Sequence, residues 1–433
     1  MNRRDLLTNL GALGTLGVSR ALLPHWTPQL AFRSLETVST ASSGAPGDTL
    51  ICVFLRGGMD GLSAVVPYGE GGSLYDARPT QRVREPGSAA GAALDLDGFF
   101  GFHPALEPLA DLYRSGNLGV VHAVGSTDPS RSHFDAMQFM ENGTPGTKMT
   151  STGWLGRHLR SAAWQNNSPF RAVGMGAMLP ASLRGGTPLS LRSIADFHLK
   201  GRHGEVQRME RMLADLYTLH TPDEMLGPQA DLVFETVAML DALETHSYQP
   251  AGGASYPDDE HGFGRGLSQI AQLVKAEVGL EVACLDLGGW DTHEEQGTLD
   301  GTFNHLLDTL ARGLEALYTD LGDTMRRVTV VTMSEFGRRV QENASAGTDH
   351  GHGNVMMLMG GGVRGGQVYS KWPTLAPDAL SDGDLAITTD YRDVLADVVS
   401  QRLNNTKLDE IFPGHSVTSL GLVDPLQTED ARA

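Results

Sequence analysis

The feature that most limits how this chain can fold is a set of short apolar runs separated by helical stretches. Residues 49–55, 118–124, 281–287 and 328–333 are runs rich in Val, Leu, Ile and Thr. Between them, apolar residues recur every three or four positions: Ala105, Leu106, Leu109 and Leu112 within 104–115, a further set within 267–278, and Leu306, Leu307, Leu310, Leu314 and Leu317 within 303–321. That spacing lines one face of a helix, whereas a run apolar throughout suits a strand covered on both sides. Strands alternating with helices predict an α/β fold: a mostly parallel central sheet with helices on both faces. Shorter strands are expected at 171–174 and 355–359, with Met356, Met357 and Met359 as core.

The termini and the middle read differently. Arg3-Arg4 precedes a Gly-, Ala- and Leu-rich segment from Leu10 to Leu23 that Arg20 interrupts. It is too short and too interrupted for a good membrane span. It reads as a twin-arginine export signal over residues 1–31, which implies the twin-arginine machinery as a partner and a periplasmic or secreted location. Two cleavage neighbourhoods fit, near Ala31 and near Ala41. Residues 32–48 are a flexible lead-in. Helical periodicity between 204 and 245, then a polar Gly-rich stretch over 252–262, mark a helical cap insertion at 200–265 within a domain spanning 49–425.

Composition excludes some partners. A net charge of -19 argues against nucleic acid and against a polybasic membrane contact. Cys52 and Cys284 both sit in apolar runs and read as buried structural cysteines; a disulfide between them is the alternative.

The polar residues cluster where strands end. One loop carries Asp60, a second runs from Thr127 to Asp135, and a third is Trp290-Asp291-Thr292-His293. The fourth joins Ser334-Glu335-Phe336-Gly337-Arg338 to Gly347-Thr348-Asp349-His350-Gly351-His352-Gly353. A parallel sheet brings its strand exits to one edge. Imidazole and carboxylate are the natural ligands of a borderline ion such as zinc. His133 either ligates or orients Asp135. His103 reads as a helix-entry residue and His122 as a satisfied core histidine. Trp290 reads equally as a lid or as core, and no chemistry is expected of His415.

Taken together, Arg56-Gly57-Gly58-Met59-Asp60-Gly61-Leu62, Arg131-Ser132-His133-Phe134-Asp135, Trp290-Asp291-Thr292-His293 and the fourth loop resemble an exported family, the one catalogued as domain of unknown function 1501 in the alkaline phosphatase clan. The order of elements is similar to the alkaline phosphatase and sulfatase superfamily. That resemblance implies a metal-binding aspartate at Asp60 and an Asp–His metal pair at Asp291 and His293. Thr127-Asp128-Pro129-Ser130-Arg131 looks like the sulfatase nucleophile motif with threonine in the nucleophile position. The absence of cysteine there excludes formylglycine chemistry. Ser132, at the start of the same expected helix, is the competing nucleophile. Where sulfatases have Asp-His, this chain has Glu335-Phe336, and phenylalanine cannot ligate.

The resulting expectation is a metal-dependent hydrolase of phosphate or sulfate esters, small-molecule or carbohydrate, acting outside the cytoplasm. One or two divalent ions, zinc by preference, would be held by Asp60, Asp291, His293, Glu335, Asp349, His350 and His352. Arg131 or Arg56 would neutralise the ester oxygens. The alternative is a non-catalytic binding or assembly protein that keeps the fold without the full site.

Overall fold

The computed structural model describes residues 29–30, 48–163, 166–176, 178–194 and 248–426. The expected export signal, the lead-in and the helical stretch at 204–245 lie outside the described residues, apart from 29–30 and Asp48.

The main strands are β1 (Gln29–Leu30), β2 (Thr49–Leu55), β3 (Leu118–Gly125), β4 (Ala172–Met175), β5 (Leu189–Leu191), β6 (Val282–Leu287), β7 (Val328–Met333), β8 (Asn354–Gly360), β9 (Val368–Tyr369) and β10 (Thr389–Asp390). They form one sheet in the order β1-β5-β4-β6-β2-β7-β8-β3-β9, with β10 also paired to β3. From β5 through β4, β6 and β2 to β7 every pairing is parallel. The expected architecture is therefore found. Two strands run against this direction: β1 at the edge is antiparallel to β5, and β8 is antiparallel to both β7 and β3. The reversal at β8 restores β3 to the direction of the parallel block. It also puts the start of β8 at the edge where the parallel strands end.

The longer helices are α1 (His133–Asn142), α2 (Trp154–Ser161), α3 (Phe263–Lys275), α4 (Gly301–Leu321) and α5 (Tyr391–Arg402). Side chains alternate across each strand, so the sheet has two buried faces. Ile51, Val53 and Leu55 pack with α3 and α4, while Leu50, Cys52 and Phe54 pack with α1, α2 and α5. Along α4 the periodic residues Phe303, Leu306, Leu307, Leu310, Leu314 and Leu317 are all buried. Each such side chain contributes roughly 1.5–3 kcal/mol relative to exposure. Cys52 and Cys284 are free, buried and in register on adjacent strands. The helix expected over 104–115 is a 3-10 segment, Pro104–Leu109, followed by a short α-helix, Ala110–Arg114. Pro108 lies inside the first part, and its ring would crowd the carbonyl four residues back, which disfavours α-helical winding there.

Candidate metal centre

Three imidazoles converge at the carboxyl edge of the sheet. His133 is the first residue of α1, reached from β3; His293 follows β6; His350 precedes β8. Each ring has its Nδ1 engaged by a group that can only accept. His133 Nδ1 lies 2.7 Å from Glu335 Oε1, His293 Nδ1 lies 3.0 Å from Asp349 Oδ1, and His350 Nδ1 lies 2.7 Å from the Arg131 carbonyl. With carboxylates and a carbonyl opposite, each Nδ1 must carry the proton, and each Nε2 presents a lone pair.

Those lone pairs point at one another and at Asp291. His293 Nε2 and His350 Nε2 are 2.9 Å apart. Asp291 Oδ1 is 3.1 Å from each of them, and Asp291 Oδ2 is 3.3 Å from His133 Nε2. His133 Nε2 is buried without a hydrogen-bond partner. The ligand atoms of His133, Asp291 and His350 all lie within 4.8 Å of one another. Electron pairs crowded together in this way are stabilised by a positive charge between them, a shared proton or a metal ion. Ligands about 2.0–2.1 Å from a tetrahedral zinc sit roughly 3.3 Å apart, close to this spacing. The residues present therefore fit a divalent ion.

The surroundings tune these groups. Burial works against the Asp291 carboxylate, but the hydrogen bond and charge of the Arg338 guanidinium lead the groups that outweigh it and hold its pKa at about 2. The hydrogen bond to Glu335 raises the His133 pKa, making that ring a better donor to a metal. Burial lowers the pKa of His350. The Asn343 amide, then His293, pulls the Asp349 pKa down. The Asp291 and His293 side chains are 47% and 40% exposed, so the cluster opens to solvent on their side.

Close backbone approach explains the glycines. A Cβ on Gly57, which sits at φ +121°, would lie 2.6 Å from the Asp291 nitrogen, and one on Gly347 would lie 2.1 Å from the His293 carbonyl oxygen. Larger residues would hold the loops apart.

Not every expected ligand arrives. Asp60 is fully buried, bonded to Arg78 at 2.5 Å and to Gln296 at 2.8 Å. Burial opposes its charge, but Arg78 keeps its pKa low. Both bonds fall on Oδ2, and Oδ1 is buried without a hydrogen-bond partner. Glu335 is spent on His133, on the Gly57 amide and on the Ser334 hydroxyl. Asp349 is spent on His293 and Asn343. His352 points elsewhere: its buried Nε2 lines a small cavity with Ser126, Asp128, Ser130, Glu335 and Phe336. Phe336 packs against the rings of His133 and His350, filling the side where a further ligand would stand. Thr127 and Ser132 are both exposed, and Ser132 starts α1 without a side-chain cap bond. Arg131 is held by Asp382 and Asp384, and Arg56 by Glu141 and Asp286. Asp135 pairs with Lys148, so His133 does not orient it. Trp290 is core, with its N–H on the Leu287 carbonyl. His122 is fully buried and bonded to the Val65 carbonyl, and His103 caps the turn at Ala105.

The family described as "Protein of unknown function (DUF1501)" is matched over residues 115–407, more than half of the chain. The chain belongs to the DUF1501 family. That is the family its four motifs resemble. Comparison of this DUF1501 chain with curated proteins finds no match. Among solved structures it is similar to the C-terminal periplasmic domain of EptC from Escherichia coli in complex with zinc, at 11% identity and a TM-score of 0.36, over 88% of this chain and 90% of that one. Lipoteichoic acid synthase LtaP from Listeria monocytogenes matches at 10% identity and a TM-score of 0.31, over 81% and 78% of the two chains. A protein in the alkaline phosphatase superfamily from Vibrio parahaemolyticus matches at 9% identity and a TM-score of 0.34, over 75% and 63%.

Proposed function

We propose that this protein is a metal-dependent hydrolase of phosphate or sulfate esters acting outside the cytoplasm, with one divalent ion, zinc by preference, at the cluster. The observation that carries this is that His133, Asp291 and His350 bring their ligand atoms within 4.8 Å of one another, with His293 Nε2 3.1 Å from Asp291 Oδ1, while every Nδ1 is engaged by an acceptor. His133, His293, His350 and Asp291 would hold the ion. Glu335, Asp349 and the Arg131 carbonyl would orient the rings. Three nitrogens and one carboxylate oxygen suit zinc, and four ligands meet its usual number. When bound, the ion would supply Lewis acidity to an ester oxygen at the solvent-exposed side of Asp291 and His293. One ion rather than two is favoured because Asp60 is committed to Arg78 and Phe336 occupies the flank. Thr127 and Ser132 remain the candidate nucleophiles.

A second reading is a metal-holding binding or assembly protein. One observation favours it: Arg131 and Arg56, the cations expected to meet the ester oxygens, are already paired with carboxylates.

The deciding experiment measures bound metal in the full chain as purified, then screens aryl phosphates, phosphodiesters and aryl sulfates with zinc, manganese or calcium added. Activity that Asp291→Ala removes supports the hydrolase. A folded, metal-loaded and inert protein supports the second reading, and a folded protein without bound metal defeats both.

A further inference from the structure

Arg338 is buried to 1% exposure directly behind Asp291. Its Nε donates to the Gly58 carbonyl at 2.6 Å, and Nη1 donates to the Thr348 carbonyl at 2.8 Å. Its Nη2 reaches the Gly57 carbonyl, the Trp290 carbonyl at 2.9 Å and Asp291 Oδ1 at 2.8 Å. These acceptors come from three chain-distant loops, following β2, following β6 and preceding β8. Two of those loops carry the proposed ligands Asp291, His293 and His350. Backbone bonds close the same junction: Thr348 N–H to the Thr292 carbonyl at 3.1 Å, Arg339 N–H to the Asp349 carbonyl at 2.9 Å, and Gly351 N–H to the Gly337 carbonyl at 2.9 Å. A guanidinium offers five N–H groups in a rigid plane. Lysine offers three on a flexible stem and cannot span the set.

Many metal sites are assembled by their ion, and their ligands lose order when it leaves. Here a permanent cation already stands at the junction, its charge balanced by Asp291. We propose that Arg338 is a positioning residue that assembles the centre in advance, so that an ion enters a finished site. The inference rests on the metal reading only for what the finished site is for. Electrostatics alone predicts the opposite effect on affinity. A fixed positive charge beside a dication repels it, so an arginine that served merely as Asp291's counter-charge would weaken binding, and its loss would tighten it.

The test compares the full chain stripped by a chelator with the same chain after zinc addition, by hydrogen–deuterium exchange. Zinc affinity is measured in parallel by competition with a chromophoric chelator. The expected result is that the amides of Thr348, Arg339 and Gly351 are equally protected with and without zinc. In Arg338→Lys, which keeps the charge, that protection is lost, zinc restores it, and zinc affinity falls about tenfold or more, the scale of losing a group that orients ligands. Amides that exchange freely in the stripped wild-type chain and become protected only with zinc overturn the proposal. So does an Arg338→Lys chain that binds zinc as tightly as the wild type. Should that variant not fold, the wild-type comparison decides alone. A chain that takes up no zinc removes the metal reading, while the protection pattern of the stripped protein still decides the role of Arg338.

Discussion

Glu335 Oε1 accepts the Nδ1 proton of His133 at 2.7 Å and, with the same atom, the amide of Gly57 at 2.9 Å. One buried carboxylate therefore ties the loop after β2 to the imidazole at the start of α1. It also fixes which nitrogen of His133 faces Asp291.

From this follows a graded effect on metal binding. Glu335→Gln keeps an acceptor but loses the charge, and zinc affinity should fall about tenfold. Glu335→Ala removes the acceptor, and the loss should approach about a hundredfold. Competition titration against a chelator of known affinity measures both. Wild-type affinity in Glu335→Ala would show that the ring needs no such partner.

Ligand and non-ligand acids should separate cleanly by metal content. The wild-type chain should hold about one equivalent of zinc, and Asp291→Ala or His350→Ala close to none. Asp60→Asn should still hold about one, because Asp60 is bonded to Arg78 and Gln296 rather than to the cluster. Two equivalents in the wild type, dropping to one in Asp60→Asn, would restore the two-ion scheme.

The Asp60–Arg78 pair bears instead on stability. Both side chains are at most 2% exposed, so Arg78→Met strands a buried carboxylate. The expected cost is about 3–5 kcal/mol in chemical denaturation. The double change Asp60→Leu with Arg78→Met should recover most of it, since no charge then stays buried. A single variant as stable as the wild type would refute the assignment.

Burial lowers the pKa of both His103 and His122 from 6.5 to about 4. Between those values the unfolded chain binds more protons than the folded one. Stability should therefore rise with pH from about 4 to 6.5 and be lost as pH falls through that window, by up to roughly 3 kcal/mol per histidine. Denaturation midpoints at several pH values test this, and His122→Gln should flatten the slope. Midpoints that stay level across the window would contradict it.

Much of this was legible in the sequence, for identifiable reasons. Strands 49–55 and 328–333 appear where they were expected because apolar runs of that length have one economical use, a strand covered on both sides. The gathering of His293, His350 and Asp291 followed from strand exits sharing an edge. The direction of β8 was not legible, since an apolar run carries no sign of which way it will pair. The fate of Asp60 was hidden because Arg78 sits in an otherwise unremarkable stretch, and a buried ion pair has no periodic signature. Arg338 lay within a recognised motif, yet its contacts are almost all to backbone carbonyls, which side-chain identity cannot announce. The sequence around His133 is compatible with two roles; in the structure Lys148 takes Asp135, and Glu335 orients the ring.

The reversed strand β8 has a further effect. Because β7 and β8 run in opposite senses, the whole link from Ser334 to Gly353 leaves and rejoins the sheet on the same side. No helix has to be threaded across the back, and the ladder between the two strands does not depend on how long that link is. Its middle is held instead by the loop after β6: the amides of Glu295 and Gln296 donate to the Ser345 and Ala346 carbonyls, and the Asn343 side chain donates to the His293 carbonyl and to Asp349. The strand pair sets only where the link begins and ends, and those bonds set its course between.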